Sequence, residues 1–257
     1  MTMPFRGCGA ALALIAGALV LPRAVEAQDA FGSLSSAHFE IRYQRGVPQE
    51  DARRALDILQ AEYKSLAADL GLEPGARTEV RIYESIGKFL EETPFKRPWR
   101  MAFYQRGVLH LQPLSAVTQR KVFEHAVGYE LALAFLESSM QKGCPRWLAE
   151  SFASYYSGET AGMTPPLGAR LTAFSDLNQD IQEYPNPPQR DDVHYILSST
   201  MTYFVQKYGE KRAFRLFREF DGTSSVERVF KKVFDDEYPA IEKGWSKYIA
   251  SRTASFK

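Results

Sequence analysis

The sequence predicts an α+β protein in which a small, mostly antiparallel sheet with packed helices is followed by a helical lobe. Strand-like alternation and helix-like periodicity interleave in the first half of the chain, whereas only helix-like periodicity occurs in the second half. Segregation of strands from helices in this way is typical of α+β folds. We expect one domain at 36–250, with a sheet-containing lobe at 36–117 and a helical lobe at 118–250.

The sheet-containing lobe is predicted from short patterned stretches. The stretch "AHFEIRYQRG" alternates, so that one face of a strand is apolar and carries Phe39, Ile41 and Tyr43. A long helix follows Pro48 and ends before Gly71, with apolar residues at helical spacing: Ala55, Leu59, Tyr63, Leu66 and Leu70. A second strand ("TEVRIYES"), a short helix ("IGKFLEETP") and a hairpin around Arg106-Gly107 ("MAFYQRGVLHLQPL") complete the lobe.

The helical lobe is predicted from a series of stretches with helical periodicity, several of them separated by segments that contain glycine and proline. These stretches cover 118–138, 145–157, about 166–180, 193–208, 210–220, 224–233 and 237–252. The first two lie where the lobes meet, and clefts commonly form at such junctions.

The first 27 residues have the layout of a secretory signal. A basic start ("MTMPFR") precedes an apolar run ("GCGAALALIAGALVL"), and small residues ("VEA") lie just before Gln28. The run is shorter than the roughly 20 residues of a spanning helix, so a retained membrane anchor is the weaker alternative. We expect an exported protein, periplasmic or secreted, with no stable membrane span after cleavage.

Charge and cysteine content exclude several kinds of partner and bond. The whole chain has 32 basic and 31 acidic residues, and no long run of one sign, which argues against nucleic acid as a partner. Cleavage of the signal leaves Cys144 as the single cysteine. An intramolecular disulfide is therefore impossible, and the fold must be stabilised by packing.

The stretch "EHAVGYE" has the spacing of a helix-borne zinc site but only some of its side chains. Ligands at positions i and i+4 of a helix share one face and can reach a single ion. His125 occupies the first of these positions and Tyr129 the second, while Ala126 stands where a general base would follow the first ligand. Glu150, on the next predicted helix, is at a suitable distance in sequence for a third ligand.

Two consecutive stretches, "VFEHAVGYELALAF" and "CPRWLAESFASYYSG", resemble the gluzincin metallopeptidases, and among them the peptidase-MA-like domains. The pattern of that family is a His-Glu-x-x-His helix followed by a Trp-Leu-x-Glu-Gly-x-Ala helix. This chain matches the second helix at Trp147, Leu148, Glu150 and Ala153, with Ser151 in place of the usual glycine. The resemblance extends over about 36–250 and implies a gluzincin-like fold.

The resemblance implies that His125 and Glu150 are zinc ligands, with Tyr129 in the place of the second histidine. Ala126 replaces the catalytic glutamate and cannot accept a proton from bound water, a step that typically contributes 10²–10⁴-fold to a rate. A tyrosine phenol has an ordinary pKa of about 10 and must lose its proton to bind metal, unlike histidine. We therefore expect no zinc, or weakly bound zinc, and no hydrolysis by the usual mechanism.

Two further residues are candidates for the site by the same resemblance. His110 lies on the predicted edge strand beside the cleft and is a spare ligand, although strand alternation gives it an even chance of pointing away. Tyr195 opens a helix that lends an oxyanion-stabilising group in related enzymes. The alternative for Glu150 needs no metal: a direct hydrogen bond to His125 or to Tyr129 would satisfy its carboxylate.

Three functions are compatible with these observations. The first is an exported, catalytically inactive pseudo-metallopeptidase that retains a cleft for an extended peptide or an envelope protein. The second is an active but atypical zinc metallopeptidase or hydrolase that uses His125 and Glu150 with Tyr129 or His110. The third is a purely structural envelope module in which the carboxylate of Glu150 is simply hydrogen-bonded.

Overall fold

A computed structural model describes residues 31–94, 101–116, 120–139, 143–158, 173–177 and 187–254. The predicted secretory signal at 1–27 lies outside these residues, as does most of the helix predicted at about 166–180. Within the described residues, no helix combines the length and the apolar character that crossing a membrane requires.

Five strands form one sheet in the order β1-β2-β3-β5-β4. They are β1 (Phe31–Ser35), β2 (Phe39–Gln44), β3 (Thr78–Ile82), β4 (Ala102–Gln105) and β5 (Val108–Leu111). The predicted hairpin is confirmed, because β4 and β5 pair antiparallel around Arg106 and Gly107, both of which have positive φ. Strand β1 was not predicted, since its sequence FGSLS has few of the residues that favour strands.

The sheet is mixed, which corrects the expectation that it is mostly antiparallel. β1 and β4 are antiparallel to their neighbours, but β2 is parallel to β3, and β3 is parallel to β5. The long helix between β2 and β3 returns the chain to the end of the sheet at which β2 began, and a crossover of this kind makes the two strands parallel. The α+β class itself is confirmed.

Eight helices are described. They are α1 (Gln49–Leu70), α2 (Ile86–Glu92), α3 (Arg120–Ser139), α4 (Arg146–Ser157), α5 (Pro187–Tyr208), α6 (Glu210–Glu219), α7 (Val226–Phe234) and α8 (Tyr238–Ala254). A 3-10 turn spans Leu114–Ala116, and a helical turn covers 174–177. Helix α5 begins at Pro187 rather than at the predicted 193, which is possible because a first-turn proline lacks only an N–H that the helix leaves unpaired.

Helix α1 covers one face of the sheet. Its buried residues include all five that the helical spacing predicted, and Gly71 ends the helix in the left-handed conformation. The Tyr63 ring meets the edge of Phe39 on β2 with ring centroids 6.0 Å apart. Tyr63 also contacts Phe135 of α3 at 5.3 Å, so α1 packs against both the sheet and α3.

A second core of aromatic side chains holds α4 in place. Trp147 stacks on Phe174 at 4.5 Å, and Phe174 contacts Trp245 of α8 at 4.7 Å. The indole of Trp245 donates a hydrogen bond to Thr200 Oγ1 on α5 at 2.8 Å. Because α4 is anchored at Trp147, the position of Glu150 one turn later is determined by this core.

Candidate functional site at the degenerate zinc motif

Helix α3 leaves the core at the motif. All residues at 127–132 are buried, so neighbouring elements surround the helix on every side there. His125 and Ala126 are only partly buried, and Val122 one turn earlier is exposed. The motif therefore lies where α3 passes from the protein interior to an accessible surface.

Glu150 is a buried carboxylate on the adjacent helix α4. Its relative exposure is 6%, and an ionised group at this depth is costly unless other groups bond to it. The Tyr129 hydroxyl of α3 donates a hydrogen bond to Glu150 Oε2. Arg146 Nε, one turn before Glu150, donates to the other oxygen, Oε1, at 3.2 Å.

The hydrogen bond between Tyr129 and Glu150 is one of the two that the sequence offered as the metal-free arrangement. It joins the residues that the resemblance places in the second-ligand and third-ligand positions. In this arrangement the Tyr129 hydroxyl serves as a hydrogen-bond donor to the carboxylate. Each carboxylate oxygen of Glu150 accepts one hydrogen bond, from Tyr129 and from Arg146.

Helix α5 brings a histidine to this cluster that sequence reasoning did not select. Ser154 Oγ, on α4, lies 3.2 Å from His194 Nδ1, and the His194 ring lies 5.2 Å from the Tyr129 ring. The adjacent Tyr195 is partly buried and packs against the core. A role for Tyr195 as an oxyanion stabiliser stays a prediction.

His110 is engaged on the far face of the sheet. Leu109 and Leu111 on either side of it are fully buried in the core, so strand alternation turns His110 to the opposite face. There its Nδ1 lies 2.7 Å from the Tyr83 hydroxyl. Burial lowers the pKa of His110 to about 4, which keeps the imidazole neutral at physiological pH.

The residues present do not fit a zinc ion in this arrangement. Within the described residues, no three side chains of His, Cys, Asp or Glu are grouped closely enough to hold a metal ion. His125 is the single nitrogen ligand in the motif, Tyr129 is a hydrogen-bond donor, and Glu150 is bonded on both oxygens. This chemistry is that of a polar cross-link between helices, with hydrogen bonds in the place of metal bonds.

A second buried carboxylate, Glu130, was also missed from sequence. It follows Tyr129 directly on α3, is 3% exposed, and accepts a hydrogen bond from the Tyr104 backbone N–H of β4 at 2.8 Å. Residues Gln105 and Val108 flank the tight turn and form a hydrogen-bonded pair, so Tyr104 is at a position whose N–H points away from β5. Glu130 thus binds the outer edge of β4.

No signal in the sequence identified this contact. The acceptor is a side chain, but the donor is a backbone group, which every residue except proline carries. Glu130 is five residues from His125, too far along the helix to act as the base beside the first ligand, and the structure directs it to the sheet.

Comparisons with known proteins give likenesses to solved structures. No protein-family model matches the chain, and no curated protein matches it. Among solved structures, it is similar to a crystal structure of an M1 zinc metallopeptidase mutant from Deinococcus radiodurans bound to a Tyr-Ser-Ala substrate, with 15% sequence identity and a TM-score of 0.40. The match covers 86% of this chain and 51% of the other, so this chain spans about half its length.

Proposed function

We propose that this chain is a non-catalytic exported protein on a metallopeptidase-like fold, in which hydrogen bonds replace the metal centre. The observation that carries the proposal is the bond from the Tyr129 hydroxyl to Glu150. It joins α3 to α4, and the pair of Ser154 with His194 joins α4 to α5. A zinc ion would hold helices together at this junction, and here side chains do so directly.

The residue at the position of the general base supports the same proposal. Ala126 has no group that accepts a proton. Of the two glutamates that flank the motif, Glu130 is bonded to the backbone of β4. Glu124 lies about 100° around the helix from His125, because successive helical residues are separated by that angle. The alternative of an active, atypical zinc hydrolase therefore lacks a base beside the first ligand.

Binding of an extended peptide or an envelope protein, the partner expected from the resemblance, is part of the proposal with one restriction. Strand addition to a sheet uses outward-pointing backbone N–H and C=O groups. At β4 the N–H of Tyr104 already donates to Glu130. A peptide that paired with β4 would have to displace this carboxylate, so any such binding at β4 competes with an internal bond.

The metal content of the purified mature protein tests the proposal. After dialysis against trace zinc, plasma mass spectrometry is expected to find far less than one zinc per chain, with the same result for His125→Ala. About one zinc per chain, lost in His125→Ala, would overturn the proposal and favour the atypical hydrolase. Cleavage of a peptide library that a chelator abolishes would do the same.

A gain of metal binding provides the positive control. If α3 and α4 have the backbone geometry of a gluzincin, Ala126→Glu combined with Tyr129→His restores the missing groups and is expected to create zinc affinity. The matched control is Ala126→Glu alone, which leaves Tyr129 bonded to Glu150 and is expected to bind no zinc. A folded double variant that bound no zinc would contradict the metallopeptidase-like geometry itself.

A further inference from the structure

The face of the sheet opposite α1 carries a row of four side chains that can bind a ligand. The register places Arg42 of β2 opposite Arg81 of β3, and Arg81 opposite His110 of β5. His110 is in turn opposite Phe103 of β4. The residues that flank these four along their strands are buried in the core or packed against it, so strand alternation turns all four to the other face.

The row brings two positive charges together. Neighbouring strands are about 4.8 Å apart, whereas residues two positions apart on one strand are separated by roughly 6.6 Å. At the level of the backbone, Arg42 and Arg81 are therefore closer to each other than to Glu40 and Glu79, which are also opposite one another. Like charges directly opposite destabilise a sheet. Departures of this kind from the most stable arrangement are expected where residues serve a function.

The two glutamates hold the guanidinium groups without using up their donors. Arg42 donates to Glu40 Oε1 through Nη2 at 3.1 Å and through Nε at 3.4 Å, and Arg81 Nε donates to Glu79 Oε1 at 2.8 Å. Burial raises the pKa of Tyr83 to about 12, and Arg81, close to its hydroxyl, acts in the opposite direction. These contacts use fewer than half of the five N–H donors of each guanidinium. The side chains of Arg42 and Arg81 are 49% and 38% exposed, so a ligand can reach them.

The other half of the row is aromatic. The rings of His110 and Phe103 lie 6.4 Å apart with 30° between their planes, and both residues are half-buried. The Tyr83 hydroxyl, 2.7 Å from Nδ1, holds the imidazole in place. With its pKa lowered to about 4, mainly by burial, His110 carries no charge at neutral pH. A flat, uncharged surface therefore continues directly from the two guanidinium groups.

We infer that this row binds a phosphate monoester of an aromatic compound, with the phosphate at Arg42 and Arg81 and the ring over His110 and Phe103. A phosphate monoester has three terminal oxygens and nearly two negative charges at neutral pH, so it can accept hydrogen bonds from both guanidinium groups at once. A carboxylate has two oxygens and one charge, which match a single guanidinium fork. The phosphate also offsets the repulsion between the two arginines, and an aromatic ring packs favourably against the rings beside them.

Calorimetric titration of the purified protein with phenyl phosphate tests the inference. We expect saturable binding of one phenyl phosphate per chain. Benzoate, which has the same ring but a carboxylate, should bind at least about tenfold more weakly, because the charge-assisted hydrogen bonds to one guanidinium are lost. No binding of phenyl phosphate up to its solubility limit, or equal binding of benzoate, would overturn the inference.

Substitution of either arginine separates this site from general attraction of anions. Arg42→Gln and Arg81→Gln should each weaken the binding of phenyl phosphate at least about tenfold. The matched control is Arg45→Gln, which removes the same charge from an exposed residue of the turn after β2, outside the row, and should bind like the wild type. Circular dichroism checks that the variants are folded. Equal weakening in Arg45→Gln would show non-specific attraction and contradict the inference.

Inorganic phosphate, which lacks the ring, tests the aromatic half of the row. Phe103→Ala should weaken the binding of phenyl phosphate several-fold and leave that of inorganic phosphate unchanged. Phe103→Leu, which keeps an apolar side chain but no ring, gives the same comparison if the alanine variant does not fold. An equal effect on both ligands would refute the position of the ring over Phe103.

Vesicles distinguish a small phosphate ester from the phosphate of a lipid headgroup. We expect the protein to sediment with phosphatidylglycerol vesicles no more than with phosphatidylcholine vesicles. Sedimentation with phosphatidylglycerol that Arg42→Gln abolishes, without binding of phenyl phosphate, would assign the row to a membrane surface and overturn the inference. None of these measurements involves the junction of α3 with α4, so this site and the non-catalytic function can fail separately.

Discussion

Tyr129 and Glu130 are neighbours on α3, yet their side chains contact different layers of the fold. Tyr129 points toward α4 and α5 and meets other side chains, Glu150 and the ring of His194. Glu130 points toward the sheet and meets a backbone N–H of β4. Successive residues of a helix are 100° apart, so a helix buried on all sides can join two layers of the fold through consecutive positions.

The contact of Tyr129 with Glu150 and that of Glu130 with β4 differ in whether the partner group keeps another hydrogen bond when the contact is lost. Without Tyr129, the partner Glu150 still keeps the bond from Arg146, which reaches it from the solvent side with 66% of its own side chain exposed. Without Glu130, the Tyr104 N–H loses an acceptor at the edge of the sheet, where no further strand is described. We therefore expect the sheet side of α3 to be the more sensitive of the two.

The largest expected effect is that of Glu130→Ala. Loss of a buried, charged acceptor that leaves a backbone N–H unpaired should lower the free energy of unfolding by about 2–4 kcal/mol. Urea denaturation measures this loss. Glu130→Gln keeps an acceptor oxygen and should lose less than half as much; equal losses in the two variants would show that the hydrogen bond to Tyr104 is not the cause.

The second largest effect should be a pH dependence of the free energy of unfolding, caused by His110 on β5. The pKa of His110 is lowered to about 4 in the folded protein, mainly by burial, against about 6.5 when unfolded. Between these pH values the unfolded chain binds more protons than the folded protein. The free energy of unfolding is therefore highest above pH 6.5 and falls as the pH decreases toward 4. The loss should reach roughly 2–3 kcal/mol, with some allowance for partial exposure.

The control for this dependence is His110→Gln, which does not titrate but can still bond to the Tyr83 hydroxyl. Its free energy of unfolding should change less than that of the wild type between pH 7 and pH 4.5. If both proteins lost the same stability over this range, the acid sensitivity would belong to other groups.

Tyr129→Phe tests the helical side of the comparison and should have a smaller effect. It removes the donor to Glu150 Oε2 but keeps the ring and the Arg146 contact, so we expect a loss of about 1–2 kcal/mol in unfolding free energy. Tyr155→Phe on α4 is the matched control, because within the described residues no hydrogen bond involves its hydroxyl. Equal losses in the two variants would mean that the Tyr129 hydroxyl contributes nothing specific.

The same comparison shows which parts of the structure a sequence can predict. Helix α1 and the hairpin of β4 and β5 follow from local signals, apolar spacing in one and a tight turn in the other, and both are confirmed. The bond between Tyr129 and Glu150 was predictable because the motif of a known family placed the two positions together. The contact of Glu130 with β4 was not, because nothing local marks one backbone N–H as its partner.

Other differences have similar causes. β1 consists of residues with little preference for strands, and its conformation depends on pairing with β2 and on the Tyr43 ring over Gly32. His194 was not among the predicted site residues, since which of two adjacent helical residues faces α4 depends on the rotation of α5 about its axis. The parallel pairing of β2 with β3 depends on where α1 returns the chain, which no single segment encodes.

The smallest expected effect is that of Arg146→Ala. This variant measures how much of the stability that Glu150 contributes comes from Arg146 and how much from Tyr129. Because Arg146 is mostly exposed and lies four residues from Glu150 on the same helix, its ion pair should contribute no more than about 0.5 kcal/mol. Urea denaturation of Arg146→Ala, of Tyr129→Phe and of the double variant separates the contribution of the Arg146–Glu150 ion pair from that of the Tyr129–Glu150 hydrogen bond. Salt at 1 M should weaken only the ion pair. A loss above about 1.5 kcal/mol in Arg146→Ala would reverse their order and make the guanidinium the main partner of Glu150. Glu150 would then be stabilised mainly by a contact inside α4, which links no two helices. The hydrogen bond from α3, on which the proposed metal-free junction rests, would lose its support.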